Sequence, residues 1–383
     1  MGTAAAESAT VGTLLRGHWY DAVLAVLDEA VRDDGRPART ADLSRARELA
    51  EVARRVLDLD AEDFTAISRR FDAAWAGRLA DSSFPAQPRD PIRGALGSLV
   101  PLYELMLEVL QIRALRREPL QVVVTAHLIG EYLIQLAWES TLGHGGDPLR
   151  LAGFFGDSRW GTEDPTCRHS SALRSTARRA LNACSGDVAG YTTYLDRFHS
   201  RLGEALGVCG LNLDVVGRGE RPDVGEPCPL PCAFVTELGR EKRRDLDARI
   251  RLAMLYVDSP IVALRHHAPV GHFFGVPSVT EISEAWLRTW EKVSTPWPDG
   301  SNPVLASALE TRAPAGEALP GLSAVVSAVA GRPIGPGRLL HDIGDDVARA
   351  LDLEQEDPNM NAGGSTRLDP RGGHRAHGNP PDE

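Results

Sequence analysis

Residues 120–144, LQVVVTAHLIGEYLIQLAWESTLGH, decide the fold because this stretch is apolar on almost every side. A helix that is hydrophobic all round is buried among other elements. Pro119 suits the first turn of such a helix, and Gly143 supplies its end. We therefore predict a buried helix over about residues 120–142, around which the rest of the chain packs as a multi-helix bundle of the mainly α class.

Three polar residues interrupt this apolar stretch, and their spacing places them along one edge of the predicted helix. His127 and Glu131 are one turn apart, which suits two ligands of one metal ion or a carboxylate that orients an imidazole as a general base. They are the candidate catalytic residues, and Gln135 is a candidate ligand-binding residue. A structural role stays open, because an unpaired polar group in a core costs about 1–3 kcal/mol and these three could satisfy one another.

A basic cluster occupies one side of a helix predicted near residues 170–184. Arg174 and Arg178 are the candidate binding residues there, since guanidinium groups pair well with a phosphate or carboxylate. A solvated basic face is the alternative interpretation.

The cysteines suggest one possible metal site. Cys228 and Cys232 flank a Pro-Leu-Pro turn, Cys209 precedes them, and His272 follows. Zinc is typically held by four cysteine or histidine ligands, so these four residues are candidate ligands and Zn²⁺ is the candidate cofactor. Free packed thiols are the alternative.

The overall composition restricts the class of protein. Net charge is -11 with a pI near 5.5, which argues against a general nucleic-acid binder. No stretch of about 18 residues is free of polar interruptions, so we expect no membrane span. Five cysteines, an odd number, favour a reducing cytoplasm over a disulfide framework. A homo-oligomer is compatible with this composition.

Changes in pattern along the chain divide it into four regions. Residues 1–80 predict an N-terminal helical array, residues 81–206 a central helical core, and residues 207–353 a C-terminal helical region. Near residues 207–236, GVCGLNLDVVG and CAFVTEL predict a two-stranded β-ribbon or an irregular cysteine-containing insert. Residues 354–383 carry few apolar side chains and predict a disordered tail.

Known catalytic motifs are missing from the sequence. It contains no GxSxG elbow, no Walker loop, no HExxH pair and no GxGxxG after a strand. The doublet Asp345-Asp346 has the pattern of a solvated acidic helix face. The first hypothesis is therefore a non-enzymatic helical module that binds a partner protein or a small ligand. The alternative is a metal-dependent or acid/base enzyme whose pocket is lined by the polar trio on the predicted helix.

Overall fold

A computed structural model describes residues 2–33, 37–155, 174–175, 188–195, 199–211, 232–268, 275–297, 300–306 and 316–353. Across these ranges the regular structure is helical, with seventeen α-helices and no strand. The predicted mainly α class is confirmed. The predicted tail, residues 354–383, lies outside the described residues.

The α-helices of the described residues are numbered in the order in which they occur along the chain. In chain order they are α1 (Gly2–Arg16), α2 (Tyr20–Asp33), α3 (Pro37–Leu57), α4 (Phe64–Ser68), α5 (Ala76–Asp81), α6 (Val100–Leu115), α7 (Pro119–Glu131), α8 (Leu133–Leu142), α9 (Pro148–Phe155), α10 (Val188–Thr193), α11 (His199–Gly210), α12 (Ala233–Thr236), α13 (Arg240–Val257), α14 (Pro260–Ala263), α15 (Val279–Ser294), α16 (Leu322–Ala330) and α17 (Leu339–Ala350). Two short 3₁₀ helices, Gly94–Leu96 and Leu264–His267, complete the set.

The apolar stretch that opened the sequence analysis forms two helices in line. Pro119 occupies the first turn of α7, and Gly143 ends α8 in the left-handed conformation at φ 72°. Tyr132 separates the two helices, with φ -107° and ψ 3°. Most side chains of both helices are buried, and α8 packs against α11, α13 and α16 while α7 packs against α6.

The same stretch meets a length and composition criterion for crossing a membrane. Pro119–Leu142 contains an 18-residue window with a mean hydropathy of 1.4, but 56% of that window is buried inside the protein. Because the core helix of a soluble protein meets this criterion too, it is weak support for a span. The absence of a membrane span stays a prediction.

Two apolar cores meet at α6. Its residues Tyr103, Met106 and Leu110 belong to a large core that also contains α7, α8, α11, α13, α15 and α16. Leu105 and Val109 point into a second core, which is built from α1 to α5 and α17. A helix that is buried on opposite sides holds the two cores together.

The last described helix returns to the start of the chain. α17 packs along α3, and the Tyr20 hydroxyl donates to the Leu340 carbonyl at 3.1 Å across 320 residues of sequence. This long-range return completes the N-terminal core. The predicted region boundaries stay predictions.

The predicted β-ribbon near residues 207–236 is not supported. Residues 207–210 end α11 and residues 233–236 form α12, while residues 212–231 lie outside the described part of the chain. Leu202, Leu206 and Cys209 follow a helical spacing and are buried, and the Trp138 indole donates to the Leu206 carbonyl at 3.1 Å. This periodic contact with α8 outweighs the strand preference of Val208.

Candidate functional site

The two candidate catalytic residues are in direct contact. His127 Nε2 lies 3.0 Å from Glu131 Oε1, because positions four apart on α7 are neighbours on the helix surface. Arg265, on the 3₁₀ helix after α14, also contacts His127 Nε2, and its Nη1 lies 3.7 Å from Glu131 Oε1. The structure therefore assembles an imidazole, a carboxylate and a guanidinium at one point of the surface.

The imidazole has two ways to use these neighbours. When Nε2 is protonated it donates to Glu131, and when Nε2 is unprotonated it accepts from Arg265. His127 Nδ1 is buried and has no hydrogen-bond partner within the described ranges. The tautomer of His127 thus decides which neighbour it binds.

The carboxylate of this group is held in its charged form. The hydrogen bond with His127 lowers the pKa of Glu131 below its usual value, against the opposing effect of burial, and the charges of His127, Arg265 and Arg201 add to the lowering. The Glu131 side chain is 34% exposed and Arg265 is 36% exposed, so water reaches this cluster. A charged carboxylate beside a histidine can orient it for proton transfer.

Gln135 takes part in a separate contact. Its side chain is fully buried, and its amide Nε2 donates to the His199 carbonyl at the start of α11. Its Oε1 has no partner within the described ranges. The predicted trio therefore divides into a partly exposed pair, His127 and Glu131, and a buried amide that holds α11 against α8.

The other predicted site residues are described only in part. Arg174 is partly buried, and Arg178 lies outside the described residues. Cys209 and Cys232 are both buried, whereas Cys228 and His272 lie outside the described residues. Among the residues that the structure describes, no three His, Cys, Asp or Glu are placed to hold a metal ion. The zinc site and the paired arginines stay predictions.

A cleft with a cavity volume of about 350 Å³ lies between the turn before α5 and the helix α17. Its walls carry four aspartates, two arginines and a tryptophan: Asp72, Trp75, Arg78, Asp342, Asp345, Asp346 and Arg349, with Ala73 and Ala74 between them. The two walls are joined by the Trp75 indole, which donates to Asp346 Oδ2 at 2.8 Å. The return of α17 to the N-terminal core therefore creates this cleft.

The cleft has an excess of negative charge. Arg78 forms an ion pair with Asp342, and Arg349 forms one with Asp346. Asp72 and Asp345 form no ion pair within the described part of the chain, and both are exposed. Two carboxylates are thus left to attract a cation into the cleft.

Sequence reasoning missed this cleft. The doublet Asp345-Asp346 was interpreted as a solvated face, whereas Asp346 binds the indole of Trp75 across 271 residues of sequence. One available signal was Trp75 itself, because a buried indole N–H usually requires an acceptor. The sequence did not indicate which acceptor it would find.

Comparisons of the chain with protein-family models, with curated proteins and with solved structures find no match.

Proposed function

We propose that this chain is a non-enzymatic helical module of the cytoplasm that binds a cationic group in the cleft between residues 72–78 and α17. The group is an ammonium or a guanidinium, carried by a small ligand or by a side chain of a partner protein. The cleft is the observation that carries this proposal, because it combines a volume of about 350 Å³ with two carboxylates that have no ion-pair partner within the described residues.

The dimensions and the chemistry of the cleft support such a ligand. Pockets for small molecules usually have volumes of about 300–1,000 Å³, so this cleft suits a short chain or a single side chain. The ion pairs of Arg78 and Arg349 hold Asp342 and Asp346 in place, while Asp72 and Asp345 face solvent. A guanidinium or ammonium gains charge-assisted hydrogen bonds with such carboxylates.

The contacts of the polar trio, His127, Glu131 and Gln135, support a role of these residues in packing. Gln135 donates to the His199 carbonyl, and His127 binds Glu131 or Arg265. These bonds connect α7 and α8 to α11 and to the 3₁₀ helix after α14. Polar groups that are used in this way stabilise a scaffold without any need for a substrate.

Calorimetric titration of the full chain with agmatine, and separately with a blocked arginine dipeptide, tests the binding. We expect saturable binding at low ionic strength that Asp345→Asn weakens at least about fivefold, since this removes one of two available charges. Asp258→Asn, an exposed aspartate outside the cleft, is the matched control and should bind like the original chain. Absence of saturable binding, or equal binding by both variants, would refute a cation site in this cleft.

An acid/base or metal-dependent enzyme is the second candidate function. The observation that favours it is the 3.0 Å contact between His127 and Glu131, with Arg265 beside them to hold an anionic group. Elemental analysis of the purified protein measures its metal content, and so distinguishes a metal-dependent enzyme from the binding module. A stoichiometric metal that is lost in both His127→Ala and Glu131→Ala would favour the enzyme over the binding module.

A further inference from the structure

The chain leaves α17 close to the acidic cleft that this helix helps to form. Asp352, just after the helix, has a left-handed backbone with φ 50°, and the Leu353 N–H donates back to the Ala348 carbonyl at 3.0 Å. Such a bond turns the chain back beside the last turn of the helix. Leu353 therefore lies about one helical turn from Asp345 along the helix axis. The residues that follow Leu353 begin close to the cleft wall that carries Asp345 and Arg349.

A basic segment follows a short distance farther along the sequence. Residues 367–375, RLDPRGGHR, which we call the arginine segment, carry three arginines and one acidic residue. These arginines are the only arginine or lysine residues after Leu353. The cleft has the opposite balance, because its walls carry four aspartates and two arginines. The arginine segment and the cleft are thus complementary in charge.

The sequence between them is long enough for contact. Thirteen residues separate Leu353 from Arg367. An extended chain spans at most about 3.3–3.6 Å per residue, so this tether reaches up to about 45 Å, well beyond the distance back to Asp345. A tether of this kind gives the attached group an effective concentration on the order of millimolar at its site. A second protein molecule in dilute solution cannot match that concentration.

The cleft offers acceptors of the kind that an arginine side chain requires. Asp342 and Asp346 already form ion pairs with Arg78 and Arg349. Asp345 is exposed and has no ion-pair partner among the described residues, and the same holds for Asp72 on the opposite wall. A guanidinium donates two parallel hydrogen bonds to one carboxylate, and a volume of about 350 Å³ admits one such side chain.

We propose that an arginine of the arginine segment occupies the cleft in the absence of a ligand, so that the chain carries its own competitor for the cation site. A cationic ligand, or a side chain of a partner protein, then has to displace this arginine before it binds. The inference rests on the proposed function, because it assigns an occupant and a means of regulation to the same site.

Competition of this kind weakens the binding of the ligand without abolishing it. The apparent Kd rises by the inverse of the fraction of molecules whose cleft is free. With an effective concentration on the order of millimolar, we expect the arginine segment to hold the cleft in about two of three molecules at low ionic strength. The apparent Kd for an external cation is then raised about threefold.

Calorimetric titration of the full chain with agmatine tests the competition. The original chain is compared with a triple variant, Arg367→Gln, Arg371→Gln and Arg375→Gln, which should bind agmatine about threefold more tightly. Removal of three positive charges also strengthens the general attraction of the protein for cations. The matched control is therefore a second triple variant of exposed arginines outside the cleft, Arg117→Gln, Arg240→Gln and Arg288→Gln, whose affinity should change less than about 1.5-fold.

The outcomes separate this inference from the proposed function. Equal agmatine affinity in the original chain and the arginine-segment variant would overturn the inference and leave the cation site standing. An equal gain in both triple variants would overturn it too, because net charge alone would then explain the gain. Absence of saturable binding in every protein would refute the cation site itself, and the inference with it.

Nuclear magnetic resonance detects the intramolecular contact without any ligand. In the nitrogen-15-labelled full chain, we expect Asp345→Asn to shift the guanidinium Nε–H signals of residues 367–375, because it removes a carboxylate that these groups bind. Asp258→Asn, the exposed aspartate outside the cleft, should leave the signals unchanged. Arginine signals that are identical in Asp345→Asn and in the original chain would contradict the proposal.

Discussion

Glu139 of α8 accepts a hydrogen bond from the backbone N–H of Leu99, at 2.7 Å, where α6 begins. Its other oxygen accepts from the Ser98 hydroxyl, also at 2.7 Å. Glu108, farther along α6, then holds the start of α17 in the same manner. A carboxylate at a helix N-terminus satisfies free N–H groups and complements the helix dipole. Two such attachments in succession connect α8, α6 and α17, and hence the two cores.

Removal of the Glu139 carboxylate should weaken the connection between α8 and α6. We expect Glu139→Ala to lower the free energy of unfolding by about 2 kcal/mol, because two hydrogen bonds to one partly buried charge are lost. Ser98→Ala should cost only about 1 kcal/mol, because the bond to the Leu99 N–H remains. Urea denaturation measures the free energy of unfolding of both variants. Equal stability of the Glu139→Ala variant and the original chain would show that the attachment contributes nothing.

A glycine allows the chain after α8 to approach the segment before α6. A Cβ atom on Gly145 would lie 2.2 Å from the Ala95 carbonyl oxygen, and the Gly145 N–H donates to the Leu96 carbonyl at 2.9 Å. Gly145→Ala should therefore lower the free energy of unfolding by about 3 kcal/mol, through a backbone displacement that the new methyl group enforces. Chemical denaturation gives the value.

Gly153→Ala in α9 is the matched control, since a Cβ there meets nothing within 4 Å. Alanine is favoured over glycine inside a helix, so this variant should be equal in stability or more stable by up to about 1 kcal/mol. If both variants were equally destabilised, the close approach at Gly145 would not be the cause.

Local signals in the sequence were sufficient for several helix ends. Pro119 and Gly143 were correctly predicted to bound the apolar stretch. Ser278 and Glu281, three residues apart, have the sequence pattern of a capping box, and they form one at the start of α15. Each of these signals acts over four residues or fewer. The interruption at Tyr132 was not predicted, because neighbouring apolar residues on both sides continue the helical pattern.

Long-range contacts were the part that the sequence could not supply. His127 and Glu131 were correctly predicted to lie together because they are one turn apart on a helix. The contact of His127 with Arg265, 138 residues away, depends on how α14 packs against α7, and no periodicity reports that packing. The same limit explains why Glu108 was not singled out, since its partners begin 231 residues later.

The partly exposed cluster of His127, Glu131 and Arg265 should contribute little to stability. Charge pairs with this exposure to water are screened, so we expect a coupling energy between Glu131 and Arg265 below about 1 kcal/mol. A double-mutant cycle with Glu131→Gln and Arg265→Gln, followed by urea denaturation, measures it. A coupling of about 3 kcal/mol or more would instead indicate a pair that the fold depends on.

The buried histidine at the start of α11 should make the protein sensitive to acid. His199 is fully buried among the rings of Phe84, Tyr132 and Tyr194, and its Nε2 lies 3.1 Å from the Gly145 carbonyl oxygen. Burial lowers the pKa of His199 from 6.5 to about 4, although the bond to Gly145 opposes this. The unfolded chain therefore takes up a proton between pH 6.5 and pH 4 that the folded chain does not, and stability is lost as the pH falls through that range.

A glutamine in place of His199 removes this titration while it keeps an N–H donor for the Gly145 carbonyl. Between pH 7.5 and pH 4.5 the original chain should lose about 2.5 kcal/mol more free energy of unfolding than His199→Gln does, a value set by the shift of the pKa. Tyr194→Phe, which removes the bond from the Tyr194 hydroxyl to the Gly146 carbonyl, perturbs the same contact without changing the histidine and should keep the original pH dependence. The free energy of unfolding depends on pH only where a group binds protons differently in the folded and unfolded states. If this free energy changed equally with pH in the original chain and in His199→Gln, His199 would therefore titrate alike in both states.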